Sequence, residues 1–255
     1  MADFTFNIFR GLLNEFIRAG YEIRSVQDYF NNVSDKVLIL RHDIDRYPLN
    51  ALKMAQMEYS LGIKATYYFR IIPSVYKENI IKQIQGMGHE VSYHYEDLSL
   101  MRGNYEKAIE HFEFQLNRFR AYAPAKTICR HGSPLSKWDP KLLWNKYNYK
   151  DYGIICDTEN DIEFNHVFYI SDNGMGWNKT STSVRDKVES RFNFPIKNTN
   201  HLIELIKNNT LPDKVMLNAH PDTFFDFGLR WFINYVLIQS KNIVKWFIVK
   251  LKIIR

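Results

Sequence analysis

Two aspartates, Asp43 and Asp45, follow an apolar run closely enough to act together. Residues 37–40 (VLIL) are apolar and partly β-branched, as suits a strand buried on both faces, and the charged stretch 41–45 (RHDID) comes next. We therefore expect the charges to begin where the strand ends. In parallel α/β folds the carboxyl ends of strands share one mouth, where chemistry collects. The sequence predicts that both carboxylates stand there.

The alternative is that these aspartates only cap a following helix. Pro48 opens a segment with apolar residues at helical spacing, and Gly62 stands where a helix C-terminus favours glycine. Arg41 and His42 beside the aspartates favour a functional site, because clustered ionisable groups are costly to desolvate unless they are paired or used.

Ionisable residues also end several other predicted strands. His94 closes a β-rich run, Arg130 and His131 follow the run 127–129, and His220 follows the run 215–217. Short strands alternate with helical segments along the chain, which is typical of a single (β/α) barrel with its site at one mouth. We predict such a barrel over residues 1–226 and a basic tail over 227–255.

The residue types at these strand ends suit one reaction class. A carboxylate base, carboxylate and imidazole metal ligands, and a second imidazole as acid are the groups that metal-assisted amide hydrolysis needs. An amide carbonyl is a poor electrophile, so a divalent cation is expected to polarise it and to acidify water.

The order of these motifs resembles the polysaccharide deacetylase family, the NodB-homology carbohydrate esterases. The resemblance spans residues 37–222. It rests on HDID at 42–45, on ATYYF at 65–69, which is similar to the family's ATFF segment, and on the later positions Gly88, His89, Glu90, His94, Arg130, Pro134, Leu217 and His220.

The resemblance implies a role for each matching residue. Asp43 would be the general base and Asp45 a metal ligand. His94 would be the first histidine ligand. Arg130 would steady the base, and His220 would protonate the leaving amine. It further implies a distorted (β/α) barrel of the NodB type, a divalent metal with zinc favoured, and a carbohydrate substrate that loses an N-acyl group, with acetyl favoured.

The sequence departs from the family pattern in three places. Ile44 separates the two aspartates, the third motif reads RHGSP, and Leu98 stands where the second metal histidine is expected. Leucine has no lone pair, and a catalytic zinc site has about three protein ligands. We expect His131 to supply the third ligand, in preference to Glu96 and Glu159, because ligands from separate strands converge better at a barrel mouth.

Composition restricts the partners of this 255-residue chain. With 45% hydrophobic and 24% charged residues, it has the composition of a soluble globular protein. The formal charge of +6 comes from residues 227–255, where six cations meet no acid, and the remaining 28 basic residues are balanced by 28 acidic ones. A neutral body argues against nucleic-acid binding. The spacing of Cys129 and Cys156 indicates buried, reduced thiols and a cytoplasmic protein.

The basic tail is expected to form an amphipathic helix on an anionic membrane surface. The uncharged run between Arg230 and Lys241 is only ten residues long, whereas a transmembrane helix needs about 20 apolar residues. Polar positions Arg230, Asn234, Lys241, Lys245 and Lys252 share a helical stripe, with Trp231, Phe232, Ile243, Trp246 and Phe247 largely elsewhere. The alternative is a terminal helix packed on the barrel.

We therefore predict a metal-dependent hydrolase that removes an N-acyl group from a sugar or surface-polysaccharide precursor, placed in the cytoplasm or at the inner membrane face. One alternative is a metal-free or differently metallated amidohydrolase acting on a small non-sugar amide. Another is a decayed barrel that only binds its ligand.

Overall fold

A computed structural model describes residues 2–32, 34–133, 136–178 and 188–250, with side chains described up to residue 243. Pro134 of the third motif and residues 251–255 of the tail lie outside the described residues. The helices are α1 (Phe6–Arg18), α2 (Val26–Asn31), α3 (Pro48–Ser60), α4 (Glu78–Gly86), α5 (Asp97–Leu100), α6 (Tyr105–Arg120), α7 (Thr199–Lys207) and α8 (Leu229–Lys250). The strands are β1 (Glu22–Arg24), β2 (Val37–Ile44), β3 (Thr66–Phe69), β4 (Glu90–Tyr95), β5 (Thr127–Arg130), β6 (Cys156–Asp157), β7 (Phe168–Ser171) and β8 (Lys214–Asn218).

All strand pairings in the sheet are parallel, which confirms the predicted α/β barrel class. The strand order is β6-β5-β4-β3-β2-β8-β7, and β1 pairs with the first half of β2. The sheet curls into a distorted half-barrel whose central strand is β2, paired with β3 on one side and β8 on the other. The carboxyl ends of these strands therefore open on one side of the molecule.

The central strand is longer than the sequence suggested. β2 runs through Ile44 and all eight of its residues are buried. Arg41, His42 and Asp43 thus lie inside the strand, and the expectation that the strand stops before the charges was wrong. Strand alternation sends Arg41 and Asp43 to one face and His42 to the other, so the charged residues act on opposite sides of the sheet.

Apolar side chains form separate cores on the two faces of the curled sheet. The smaller core includes Val37, Ile39 and Met216, and fills the concave inside of the barrel. The larger core includes Leu38 and Leu40 and packs the sheet against the surrounding helices. Because β2 contributes alternate residues to both, its position is fixed from two sides, and Asp43 is fixed with it.

A buried polar network locks the outer face of β2. His42 Nε2 lies 2.8 Å from the carboxylate of Glu58 on α3, and its Nδ1 lies 2.9 Å from the backbone oxygen of Ala219. Tyr67 on β3 donates to the same carboxylate at 2.6 Å. These contacts join two strands and a helix to the segment that carries His220.

Neither aspartate caps the helix that follows. The residue before α3 is Tyr47, which adopts a left-handed conformation and makes no side-chain capping bond, while Pro48 occupies the first helical position. The capping alternative is therefore excluded for Asp43 and Asp45.

Leu98 lies in the larger core and not at the mouth. After β4 the chain turns at once into α5, where Leu98 is 1% exposed and packs among buried apolar side chains. The position at which the family pattern expects a histidine therefore faces inward here, and a ligand must come from elsewhere.

Some local elements are not evident from the sequence pattern. Helix α7 begins at Thr199 and is capped by Asn198, whose side chain accepts from the backbone of His201. A 3-10 helix at Pro140–Asn145 follows Asp139. Three short elements, β1, α2 and α5, were not predicted, because segments of three to six residues carry too little periodicity.

The tail forms a helix that packs on the body by one face. Asn234, Ile238 and Asn242 of α8 are buried, so Asn234 does not belong to an exposed polar stripe as predicted. Large apolar residues occupy much of the opposite side of the helix. The side chains of Lys245, Trp246, Phe247 and Lys252 lie outside the described part of the chain.

The packing of Leu98 leads to a stability prediction. Leu98→Ala is expected to lower the free energy of unfolding by about 2–5 kcal/mol, since it removes a buried side chain and leaves a cavity. Urea unfolding followed by circular dichroism measures this. Leu100→Ala is the matched control, because Leu100 lies in the same helix and is 43% exposed. Equal effects of the two changes would contradict the core assignment.

Candidate active site

The carboxyl ends of four strands bring the predicted site residues to one mouth. Asp43 is in β2, and Asp45 follows it directly. His94 is in β4, His131 follows β5, and His220 follows β8 by two residues. Parallel pairing aligns these strand ends, so residues up to 177 positions apart meet in space.

Asp43 sits in a buried polar cradle formed from neighbouring strands. Its Oδ2 accepts a hydrogen bond of 2.8 Å from Asn218 Nδ2 and lies 3.5 Å from Arg41 Nη2. The phenol of Tyr169 links the two donors, at 3.0 Å from Arg41 Nη2 and 3.2 Å from Asn218 Nδ2. The second carboxylate oxygen of Asp43, Oδ1, is buried and makes no hydrogen bond to a described residue.

This cradle keeps Asp43 ionised. Burial by itself would raise the pKa of the carboxyl, but the nearby charges of Arg41, His94 and His220 outweigh it and hold the pKa below its usual value. Arg41 is itself almost completely buried, and Asp43 raises the pKa of its guanidinium. A charged carboxylate with one unused oxygen is suited to accept a proton.

Asp45 faces two imidazoles from different strands. Its Oδ1 lies 3.6 Å from His94 Nε2 and 3.5 Å from His131 Nε2. The two rings are 5.3 Å apart and nearly perpendicular. Burial would raise the pKa of Asp45, but His131, His94 and His220 hold it well below its usual value.

Both imidazoles are held by their other nitrogen. His94 Nδ1 donates to the backbone oxygen of Cys129 at 3.0 Å, and His131 Nδ1 donates to Glu96 Oε2 at 2.8 Å. Glu96 is also bound by two nitrogens of Arg70, at 2.7 and 2.9 Å. Burial would raise the pKa of Glu96, but His131 and Arg70 lower it to about 2. Because Nδ1 of each ring is held in this way, Nε2 faces the mouth, where it could bind a metal ion.

The distances from Asp45 Oδ1 to the two imidazoles suit a divalent metal ion. Two ligands bound at about 2.1 Å with tetrahedral geometry lie about 3.4 Å apart, close to the two distances from Asp45 Oδ1. That oxygen is buried and makes no hydrogen bond within the described part of the chain. A carboxylate together with two imidazoles that are each oriented by a further hydrogen bond is typical of catalytic zinc sites.

A different trio brings all three of its ligand atoms within reach of one ion. Ligand atoms of Asp43, His94 and Cys129 all lie within 4.8 Å of one another. Burial raises the pKa of the Cys129 thiol well above its usual value, and Arg41 only partly offsets this. A thiol must lose its proton to bind metal, so we favour Asp45, His94 and His131 as the ligand set.

His220 lies on the side of Asp43 opposite to Asp45, His94 and His131, and Asp172 orients its ring. Its Nδ1 lies 2.5 Å from Asp172 Oδ1, and its backbone N–H donates to both Asp172 oxygens at 3.0 and 3.1 Å. Thr223 Oγ1 donates to the same carboxylate. The remaining ring nitrogen, Nε2, lies 4.0 Å from Asp43 Oδ2.

The surroundings of His220 favour its protonated form. Burial would lower the pKa of the imidazole, but Asp172, followed by Asp43 and Asp45, raises it well above its usual value. At neutral pH the ring therefore carries a proton on Nε2, which faces the mouth. Such a ring can act as a general acid.

Arg130 is bound by acids at the rim. Its Nη1 donates to both oxygens of Asp139, at 2.9 and 2.8 Å, and its Nη2 donates to Glu159 at 2.9 Å. Strand alternation points Arg130 away from the side that Cys129 shares with Asp43. Arg41, and not Arg130, is the arginine that we find in contact with Asp43, and a role for Arg130 in steadying the base stays a prediction.

Sequence reasoning missed three residues of this mouth. Asp172 follows β7 directly, so the signal used for the other strand ends would have found it. Asn218 ends β8 but is uncharged, and Arg41 was seen as part of a charged cluster without a role. His131, predicted as the third metal ligand, lies beside Asp45 and is held by Glu96; its role as a ligand stays a prediction. Glu159 lies instead with Arg130.

Two other motif residues are structural. His89 accepts from the backbone of Ala65 through Nδ1, and its Nε2 lies 3.1 Å from the oxygen of Ala55, as expected for a core histidine. Trp177 is 2% exposed and donates to Thr199 Oγ1 at 2.9 Å, so it does not present a ring to a ligand.

Comparisons with known proteins found similarity in structure and none in sequence. No family model and no curated protein sequence matches the chain. Among solved structures, the chain is similar to the Xyl-CE4 domain of a multidomain xylanase from the hindgut metagenome of Trinervitermes trinervoides. The TM-score is 0.40 at 13% identity, over 85% of this chain and 92% of that one.

The metal assignment predicts which variants lose the ion. His94→Ala and His131→Ala should each abolish stoichiometric zinc binding, and Glu96→Gln should weaken the affinity by about 10–100-fold, because it orients a ligand without being one. Chelator-competition titration and elemental analysis measure this. Cys129→Ala should keep the metal, as should the control His166→Ala at an exposed position. Metal loss in Cys129→Ala, with full occupancy in His131→Ala, would favour the rival trio.

Proposed function

We propose that this protein is a metal-dependent hydrolase that removes an N-acyl group, with acetyl favoured, from a sugar or a surface-polysaccharide precursor. The observation that carries the proposal is the position of Asp43, an ionised carboxylate between an Asp45, His94 and His131 cluster and the Nε2 of His220. Base, metal ligands and acid thus share one mouth, which is the set of groups that amide hydrolysis needs.

In this proposal Asp43 is the general base. Its unused oxygen accepts a proton from the water that adds to the amide carbonyl, while Asn218 and Arg41 hold the other oxygen. A bound divalent cation at Asp45, His94 and His131 would polarise the carbonyl and lower the pKa of that water. Arg41 keeps the carboxylate charged, so the base is ready at neutral pH.

His220 is the general acid. Its Nε2 donates a proton to the amide nitrogen as the carbon–nitrogen bond breaks, so that the amine leaves uncharged and the acyl group is released as a carboxylate. Asp172 fixes the ring and stabilises its positive charge. Arg130 would contribute by tying the segments of Asp139 and Glu159 to the rim.

The substrate class is tested directly by product analysis. Zinc-loaded protein would be incubated with N-acetylated monosaccharides, oligosaccharides and nucleotide sugars, and with small non-sugar amides, and acetate and free amine would be measured. Release from sugars supports the proposal. Release from non-sugar amides alone would move the assignment to the alternative amidohydrolase, and sugar binding without any release would favour a decayed barrel.

The base assignment predicts a large loss of turnover. Asp43→Asn should lower kcat by about 10²–10⁴-fold, because the amide keeps the shape of the carboxylate but cannot take a proton. Zinc content and the unfolding midpoint should stay near those of the parent. Asp226→Asn, at an exposed aspartate outside the mouth, is the control. Retained turnover in Asp43→Asn would place the base elsewhere.

The acid assignment predicts a shift in the pH profile. kcat/KM should be high between the lowered pKa of Asp43 and the raised pKa of His220, since the base must be deprotonated and the acid protonated. Asp172→Asn removes the largest influence that raises the pKa of His220, so the alkaline limb should move to lower pH while the acidic limb stays. An unmoved alkaline limb would show that His220 is not the acid.

A further inference from the structure

The C-terminal helix α8 turns polar side chains toward the body and apolar side chains outward. Its buried positions include Asn234 and Asn242, whereas its exposed positions are mostly large and apolar. A surface helix of a globular protein ordinarily shows the opposite pattern, with an apolar stripe toward the core. The body accounts for the polar contacts of α8 and leaves its apolar face uncovered.

The buried side of α8 is tied to the body by specific hydrogen bonds. Trp231 Nε1 donates to the backbone oxygen of Asp3 at 2.9 Å. Asn234 Nδ2 donates to Asp222 at 3.2 Å, and Asn242 Nδ2 donates to Gly174 at 2.9 Å, both at backbone oxygens. These bonds fix the rotation of the helix, so its outer face has a defined direction.

The outer face is largely apolar, with the exposed Ser240 as a polar residue within it. At about 100° per residue, six exposed residues fall within an arc of about 140°. They are Leu229, Phe232, Ile233, Val236, Leu237 and Ile243, with exposures from 46% to 75%. A contiguous exposed patch of this kind marks an interaction surface.

A groove extends this face along the body. Its volume is about 660 Å³, and it lies between α8 and the N-terminal ends of α3 and α4. Its apolar lining includes Leu49, Ile80 and Phe225, and Lys77 and Arg230 bring positive charge to it. Apolar surface bordered by cations is suited to a partner that is apolar within and anionic outside.

The positive charge of the tail favours an anionic partner. Residues 227–255 contain six cations and no acid, and of these Arg230 and Lys241 are exposed beside the apolar face. A second copy of the chain would bring like charges against each other, which disfavours a dimer through this face. Among the described helices, none has the length and apolar character needed to cross a bilayer.

We propose that α8 docks the protein onto the surface of an anionic lipid bilayer. The apolar face enters the boundary between headgroups and acyl chains, and the cations beside it contact lipid phosphates. The two asparagine bonds attach α8 to the segments just after His220 and Asp172, so the docking helix is held next to the mouth. This surface is independent of the reaction assigned to that mouth.

Vesicle flotation of the full chain tests the docking. The protein should float with vesicles of phosphatidylcholine and phosphatidylglycerol at low salt, and binding should fall with pure phosphatidylcholine or with added salt. Phe232→Ser/Ile233→Ser/Leu237→Ser should weaken binding at least about tenfold, because it removes apolar area from the face. Arg230→Gln/Lys241→Gln should weaken it by about tenfold or more on anionic vesicles only.

Matched controls separate docking from other effects. Phe114→Ser changes a residue on α6 that is 61% exposed, and it should leave flotation unchanged. Circular dichroism checks that each variant folds, and sedimentation velocity measures association. Failure of the parent to float, or equal flotation of the triple variant and the parent, would overturn the proposal. The proposal would also be overturned if the parent were a dimer and the triple variant a monomer, because the face would then bind a second copy.

Discussion

The ionised carboxylate of Asp43, buried within the central strand, is the constraint on which the rest of the site depends. A buried charge is costly unless charges and donors around it compensate. Arg41 and Asn218 supply that compensation from two adjacent strands, and Tyr169 links them from a third. The polar interior of the half-barrel therefore belongs to the site as much as the mouth does.

A common device positions the three imidazoles around that carboxylate. His94, His131 and His220 are each held through Nδ1, by a backbone oxygen, by Glu96 and by Asp172. Each therefore presents Nε2 to the mouth. Glu96 and Asp172 are both carboxylates, so the charge of the partner alone does not separate the rings; His220 differs because Asp172, Asp43 and Asp45 together raise its pKa.

The position of Leu98 shows why residues of one local motif need not lie together at the mouth. The turn into α5 places Leu98 in the core. The imidazole of His131, which follows the next strand, lies beside Asp45 instead. Because parallel strands bring their carboxyl ends together, neighbouring strands can supply equivalent donors. The spacing of residues within one motif therefore predicts which side chains meet near Asp45 less well than the convergence of strand ends at the mouth does.

The sequence by itself determined the parallel α/β class and the strand-end residues Asp43, Asp45, His94, His131 and His220, because apolar periodicity and strand-end charges are local signals. Only the tertiary structure decided which arginine contacts Asp43, that Asp172 holds His220, and that α8 turns its asparagines inward. These facts depend on contacts between residues distant in sequence. The direction of a side chain near a strand end and the face a helix buries follow from packing, which no local pattern specifies.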